Sequence, residues 1–573
     1  MAFETGRKDV AMRKTLMTVI AAVVLPLGMP LPVLAQDYDL VISNGRVMDP
    51  ETLLDATMNV GIKDGRIVTI SKDELKGSET IDASGLVVAP GFIDTHFHSV
   101  DLFGMKVAAR NGVTTPIDME GGVWNVDAYY AAKEGKWPLN YGATVSHERA
   151  RQIVLDGMTF DGPTDALTMF QDRAKSLDGD NVAGWSTVRP NLDQMNEISR
   201  LMDEQMRQGA IGASSLVGYA RSGVTTYELY EFQRVAARYG RVAAAHQRFH
   251  GNVGNPQAAL GFDEMFANAV VLDAPLMMCH DNDQDWWEIE EKLAIARSKG
   301  MNMWSEYYPY AAASSNVGAE YLAPEIFEDN MGYSYKDQIY DPSQDKYLSK
   351  EEVLQLRKDD PGRTIVIQLP PRQKWLPYWL RMPHMTVASD AMWMDGGRDA
   401  DFPFEEFKGH PRTAGSHAAV LRMGRENGVP LMFTLSQLSY WSAKHLGDTG
   451  LEAMRERGRM QEGMVADITI FDPETVTDNS TFKEGENGLP STGIPFVLVS
   501  GVPVVRDSVF QKDVFPGQPI RFPVEDKGRF EPISPEKFVG IFAIDVPTLH
   551  IEDASVDEAT HERYGSKKKG GTD

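Results

Sequence analysis

The sequence predicts an α/β chain: a (β/α)8, TIM-like barrel carrying a small β-sandwich built from both ends of the chain. Three observations predict it. Short apolar runs alternate with amphipathic helical stretches through the middle of the chain, as βαβ units do. Eight such runs occur, the count of a closed barrel. Segments of a different, hairpin-like texture flank this middle on both sides.

The flanks come first. DLVISNGRVMD, MNVGIKDGRIVTI and ETIDASGLVVAPGF follow Gln36 and hold Asn-Gly and Asp-Gly turns between β-rich runs. The texture returns in GMVADITIFD, residues 463–472, and PFVLVSGVPVV, residues 495–505. These two parts, residues 36–91 and 451–510, are expected to make the sandwich, and residues 92–450 the barrel. The eight candidate strands are GFIDTHFH, NGVTTPIDM, YGATVSHERA, GAIGASSLVG, GRVAAAHQR, PLMMCHDND, GMNMWSEYYPY and HMTVASDAM. Helical patterns such as YELYEFQRVAARYG and WEIEEKLAIARSKG lie between several of them. Residues 320–380 break the rhythm and are too long for an ordinary loop. They read either as a lid over the active face or as a solvated insertion. Residues 511–573 form a C-terminal extension ending in GSKKKGGTD, read as surface.

Bulk properties bound the partners. The formal net charge of −25 over 573 residues argues against nucleic acid, whose phosphates require a basic surface. A single cysteine, Cys279, excludes an intrachain disulfide and a CxxC metal motif. Arg7, Lys8, Arg13 and Lys14 precede the apolar run at 16–28, and Val33-Leu34-Ala35 offers a cleavage site. Residues 1–35 therefore read as a secretory signal peptide, too short and Pro-interrupted for a membrane anchor. The mature protein is expected to be periplasmic or secreted, without stable membrane insertion.

Polar residues close several apolar runs. His96 and His98 end the first, His246 the fifth, His280 the sixth and Asp390 the eighth. Side chains two apart on a strand share a face, so His96 and His98 project together with Phe97 turned away. Barrel strands carry their reactive groups at these C-terminal ends. One such histidine is more often structural, but four with an aspartate suit zinc or a similar divalent ion.

This arrangement resembles the amidohydrolase superfamily, and within it the N-acyl-D-amino-acid deacylases (D-aminoacylases). The resemblance spans residues 38–510 and rests on PGFIDTHFH, GVTT, QGAIGASS, AAHQR, YPYAAASS, ASD, HPRTAG and RGRMQEGMVADITIFDPETVTD. It implies that His96, His98, His246 and His280 ligate one or two Zn2+ ions, with Asp390 as a further ligand and general base. The implied chemistry is hydrolysis of an amide C–N bond, N-acyl-D-amino acid to carboxylate and D-amino acid, by a metal-activated hydroxide.

Two departures qualify the resemblance. The deacylases place a metal-binding cysteine at the end of strand two, where this chain reads PIDMEGG. Glu120 is the nearest candidate ligand, with Asp118 behind it. A family lysine that holds the substrate carboxylate becomes Asn282 here, while Tyr308, Ser314 and Arg412 match other substrate-binding positions. Asp281 and Asp283 add negative charge nearby, which would favour a neutral or cationic substrate. His147, ending the third run, is expected either near the substrate carbonyl or as a structural group. Cys279 is expected to turn away from the metal as a buried small residue. Related machinery acting on dipeptides or cyclic amides is one alternative reading, and a secreted binding protein that has lost catalysis is another.

Overall fold

The computed structural model describes residues 38–176, 183–249, 258–283, 286–329, 331–394 and 397–543. The signal-peptide segment and the GSKKKGGTD tail lie outside these residues. No helix among the described residues is long and apolar enough to cross a membrane.

The two flanks do share one structure. Strands Tyr38–Asp49, Leu54–Lys63, Arg66–Ser71, Gly77–Asp82 and Val87–Pro90 join Ile468–Phe471, Phe496–Val499, Val502–Arg506 and Val509–Phe510 in a nine-stranded sheet. The seam is antiparallel, with Val87 opposite Phe471 and Pro90 opposite Ile468. Asp64-Gly65 makes the expected two-residue hairpin, both residues at positive φ (49° and 74°). Asn44-Gly45, read as a turn, is instead a bulge inside the first strand. A side chain at Gly45 would meet Val88 Cγ2 at 2.3 Å, so the chain needs glycine there for the neighbouring strand to approach. The outer strand Arg66–Ser71 returns to the C-terminal part through an Arg66–Val465 bridge.

The middle forms a mixed α/β body around a seven-stranded parallel sheet. Its neighbours run in order Asp118–Val123, Ala143–Ser146, Gly212–Ser215, Val242–Ala245, Leu276–Met278, Met303–Tyr307 and Thr386–Val387. Phe92–Asp94 pairs in parallel with Val113–Pro116. The predicted strand NGVTTPIDM is thus two pieces, separated at Ile117. The first strand lies against both edges of the sheet. On one side Ile117 N–H donates to Asp94 O (2.8 Å) and Met119 N–H to Thr95 O (3.2 Å). On the other, His98 N–H donates to Ala391 O (3.0 Å).

Strand alternation sorts the core. Ile93, Ile117, Val242, Ala244, Met277 and Trp304 pack together on one face of the strands. Ala243, Ala245, Leu276, Met278 and Met303 pack with the helices on the other. Between the last two strands the chain builds a separate antiparallel sheet from Ala312–Asn316, Thr364–Gln368, Ile339–Asp341 and Lys346–Tyr347. This insertion has its own apolar core, including Leu322, Phe327, Leu348, Val353 and Ile365.

Candidate metal centre

The parallel strands deliver their polar ends to one place. His96 Nε2 and His98 Nε2 lie 2.9 Å apart, and His246 Nδ1 and His280 Nε2 also 2.9 Å apart. Glu120 stands between the two pairs. Its Oε2 is 3.1 Å from His96 and 3.4 Å from His98, and its Oε1 is 3.0 Å from His246 and 2.8 Å from His280. Asp390 Oδ1 is 3.4 Å from His96 Nε2 and 3.6 Å from His98 Nε2. All six expected metal ligands therefore converge, and every one is buried or nearly so.

Local backbone explains the convergence. The strand Val242–Ala245 alternates inward and outward, which turns His246 inward. The strand Leu276–Met278 would instead send Cys279 inward and His280 out. His280 reaches the site because the chain leaves the strand and it adopts φ +34°. Asp390 does the same at φ +50°. Left-handed backbone at two non-glycine residues is strain that tends to collect at functional sites. Cys279 therefore does not turn away as expected for the neighbour of an inward His280; alternation from Met277 carries it inward. It is fully buried in the inner core, its Sγ within 4.8 Å of ligand atoms of His96 and Glu306. Burial holds its thiol well above the ordinary range, so it is an unreactive packing group.

A second ring of carboxylates orients the first. Glu306 Oε1 is 2.5 Å from His96 Nδ1, and its Oε2 accepts from Thr95 Oγ1 at 2.7 Å. Asp118 Oδ2 is 3.1 Å from His98 Nδ1. Asp118 Oδ1 accepts from the backbone N–H of Glu120, Gly121 and Gly122, which fixes the loop carrying Glu120. Asp118, the second candidate ligand, is thus a support for His98 and Glu120. Asp94 ties the first strand to the last, accepting from Ser389 Oγ at 2.5 Å and from His96 N–H at 3.1 Å. Burial raises its pKa to about 7, against those same hydrogen bonds.

This arrangement tests whether the residues fit a metal. With Nδ1–H of His96 and His98 directed at Glu306 and Asp118, both Nε2 lone pairs face each other and the oxygens of Glu120 and Asp390. Such a set of acceptors is stable only around a positive charge. Without a metal, protons take that role. Burial pulls His96 and His98 down, but Glu120, Asp390 and Glu306 drive His96 well above its ordinary value, and Asp118 and Glu120 raise His98 to about 9. Glu120 goes the other way: burial would raise it, and His96, His280 and His246 hold it well below the carboxylate range.

The remaining candidates divide. Tyr308 and Ser314 line the cavity above the cluster. Asn282 does not; its amide closes on the backbone of Tyr308, donating to Tyr308 O at 2.9 Å and accepting from Tyr308 N–H at 3.3 Å. Arg412 lies beneath the cavity, fully buried, with Nη2 2.8 Å from Asp390 Oδ1 and its guanidinium over the Tyr308 ring. His147 is not brought to the cluster. Its ring is held by Ser215 Oγ (2.9 Å) and Glu228 Oε1 (3.2 Å), and Glu228 is also ion-paired with Arg151. That buried network accounts for a histidine at the strand end without a substrate.

One lining residue had no signal in the sequence. Arg372 of the insertion donates from Nε and Nη2 to Asp283 Oδ1 (2.9 and 2.6 Å) and from Nη1 to Tyr308 Oη (2.7 Å). It neutralises Asp283, whose charge was expected to repel anions. Glu306 was legible: it is the one carboxylate in the apolar run NMWSEYY, in phase with the inward Trp304.

The model of the Amidohydrolase family matches residues 79–505. The chain belongs to that family. Among its relatives, D-aminoacylase of Alcaligenes xylosoxydans xylosoxydans is 26% identical over 511 residues, 83% of this chain and 96% of the relative. N-acyl-D-glutamate deacylase of the same organism is 25% identical, covering 82% and 94%. The fold of this family member is similar to that of N-acyl-D-glutamate deacylase from Bordetella bronchiseptica, solved with zinc and a phosphonate mimic of the tetrahedral intermediate. The TM-score is 0.67 at 22% identity, covering 85% of this chain and all of that one. A D-hydantoinase structure gives a TM-score of 0.52 at 19% identity, with 85% and 100% covered.

Proposed function

We propose that this amidohydrolase cleaves the C–N bond of an N-acyl-D-amino acid, using one or two zinc ions. The observation that carries the proposal is Glu120, one carboxylate shared between two histidine pairs with Asp390 beside it. His96, His98 and one Glu120 oxygen would hold one ion; His246, His280 and the other oxygen a second. A divalent ion there supplies Lewis acidity for the carbonyl and acidifies water. Asp390, at the cavity floor, accepts the water proton and hands it to the leaving nitrogen, which departs only as a neutral amine. Arg412, with Nη2 2.8 Å from Asp390 Oδ1, holds that carboxylate in place. Tyr308, Arg372 and Ser314 form the polar wall for the amino-acid end. The relatives named for D-aminoacylase and N-acyl-D-glutamate deacylase activities support this reading.

Cyclic amides are the second reading, favoured by the similarity to D-hydantoinase. A screen of the zinc-loaded protein against N-acyl-D-amino acids, their L-isomers, dipeptides and hydantoins separates the two, with Asp390→Asn as control. Activity confined to L-isomers or cyclic amides would refute the first reading.

In the same proposal the parallel sheet and the first strand close into a (β/α)8 barrel, supported by hydrogen bonds on both sides of that strand. The nine-stranded sheet curls into a sandwich, supported by the Arg66–Val465 bridge. The basic and apolar pattern before Gln36 supports export; N-terminal sequencing of the protein recovered from the periplasm tests it.

A further inference from the structure

We propose that the acyl arm of the substrate is bulky and apolar, and lies on the His98 side of the metal centre against Met169, Phe170, Leu216 and Met392. The inference rests on the amide-hydrolase reading and specifies which end of the amide the cavity grips.

The cavity above Glu120 is open to solvent, and its two sides differ in chemistry. On the His280 side stand the polar groups. The Tyr308 ring is 6.4 Å from that of His280, and its hydroxyl meets Arg372. On the His98 side stands an apolar cluster. Trp393 packs edge-on to His98 at 6.3 Å and Phe170 against Trp393 at 4.9 Å. Met169, Leu216 and Met392 complete that cluster.

Glu120 separates the two sides, with Oε2 toward His96 and His98 and Oε1 toward His246 and His280. An amide lying across it therefore sends one arm each way. The amine arm of an N-acyl amino acid carries a carboxylate and needs hydrogen-bond donors, which the Tyr308–Arg372 side offers and the wall of Met169, Phe170, Leu216 and Met392 does not. The acyl arm is left with the apolar wall. An acetyl methyl would leave most of that wall in water. The wall also does not end at the site: Phe170 and Tyr219 line a neighbouring cavity as well.

The test is a ladder of acetyl, butanoyl, hexanoyl and octanoyl amides of one D-amino acid, turned over by the zinc-loaded full-length protein. Each buried methylene is worth about fourfold, the equivalent of about 0.8 kcal/mol. With part of each chain staying wet, kcat/KM should still rise at least about 100-fold from acetyl to octanoyl. Phe170→Ala should flatten the ladder. Calorimetry of acetate and octanoate binding needs no turnover and should show octanoate tighter by a similar factor. If acetyl amides are hydrolysed as well as octanoyl ones, the proposal is overturned while the amide-hydrolase reading stands. If no amide is hydrolysed but octanoate binds far more tightly than acetate, the apolar subsite stands and that reading fails. Equal binding of the two acids overturns the proposal whatever the enzyme turns over.

Discussion

Glu120 is the residue on which the metal centre turns, and replacing it with alanine tests the centre directly. Its two oxygens each meet two imidazole nitrogens at 2.8–3.4 Å. Opposite unit charges about 3 Å apart attract by roughly 5 kcal/mol at an effective dielectric near 20, and a divalent ion would feel more. Residues that merely orient a metal ligand cost about 10–100-fold in metal affinity when removed. A carboxylate touching both pairs should exceed that, so we expect Glu120→Ala to weaken metal binding by at least about 100-fold, or about 2.7 kcal/mol. Glu120→Gln keeps the shape and loses the charge, and should fall nearly as far. Glu120→Cys restores an anionic ligand of the kind the deacylases carry at the end of strand two, and should recover at least one ion. The assay is metal content by mass spectrometry after dialysis against a graded chelator, with circular dichroism to confirm folding. Two ions per chain in a folded Glu120→Ala protein at wild-type affinity would refute the assignment, and with it the account of how this chain manages without the family's cysteine.

Three further outcomes follow from the same geometry. Asp390→Asn should lower kcat by about 10²–10⁴-fold, the usual worth of a general base, with metal content retained, as read by steady-state kinetics beside metal analysis. Glu306→Gln and Asp118→Asn should each weaken metal binding by about 10–100-fold in a chelator competition, because the imidazoles they orient lose their fixed tautomer. His417, outside the ligand set and with Nε2 3.9 Å from Asp94, supplies a pH test: burial depresses its pKa to about 3, against about 6.5 in the unfolded chain. The unfolded state therefore binds the extra proton, and the stabilisation present above pH 6.5 drains away as pH falls toward 3. Between pH 6 and 4 the wild type should lose about 1.4 kcal/mol per pH unit more than His417→Gln in urea denaturation, and parallel slopes would refute the buried neutral imidazole.

Much of the site was legible because its ligands obey local rules. Period-two alternation places His96 with His98 and turns His246 inward, and apolar runs broken by a polar residue mark where strands end. The limits lie where a tertiary contact overrides the local rule. His280 leaves the side that alternation assigns it, while Cys279 keeps its inward place, because the strand stops at Met278 and His280 takes a left-handed backbone conformation. Asn44-Gly45 has the composition of a turn but serves as a bulge, since the demand for glycine comes from Val88 across the sheet. Arg372 sits in the insertion, 89 residues from the Asp283 it neutralises, and nothing in QLPPRQK announces a charge at the cavity.

His147 and Arg412 make the same point about function. Each occupies a position at which the family resemblance implies contact with substrate. His147 is instead closed into a network of Ser215, Glu228 and Arg151, where both ring nitrogens already have partners. Arg412 lies against Asp390 and outside the cavity lining. A fully buried guanidinium 2.8 Å from the proposed base and behind the Tyr308 ring is placed to act on the base rather than on a substrate carboxylate. Arg412→Lys, which keeps the charge but loses the planar fork, should therefore lower kcat with little change in KM, equally for amides with and without a free carboxylate. A rise in KM confined to carboxylate-bearing substrates would instead return Arg412 to the substrate clamp.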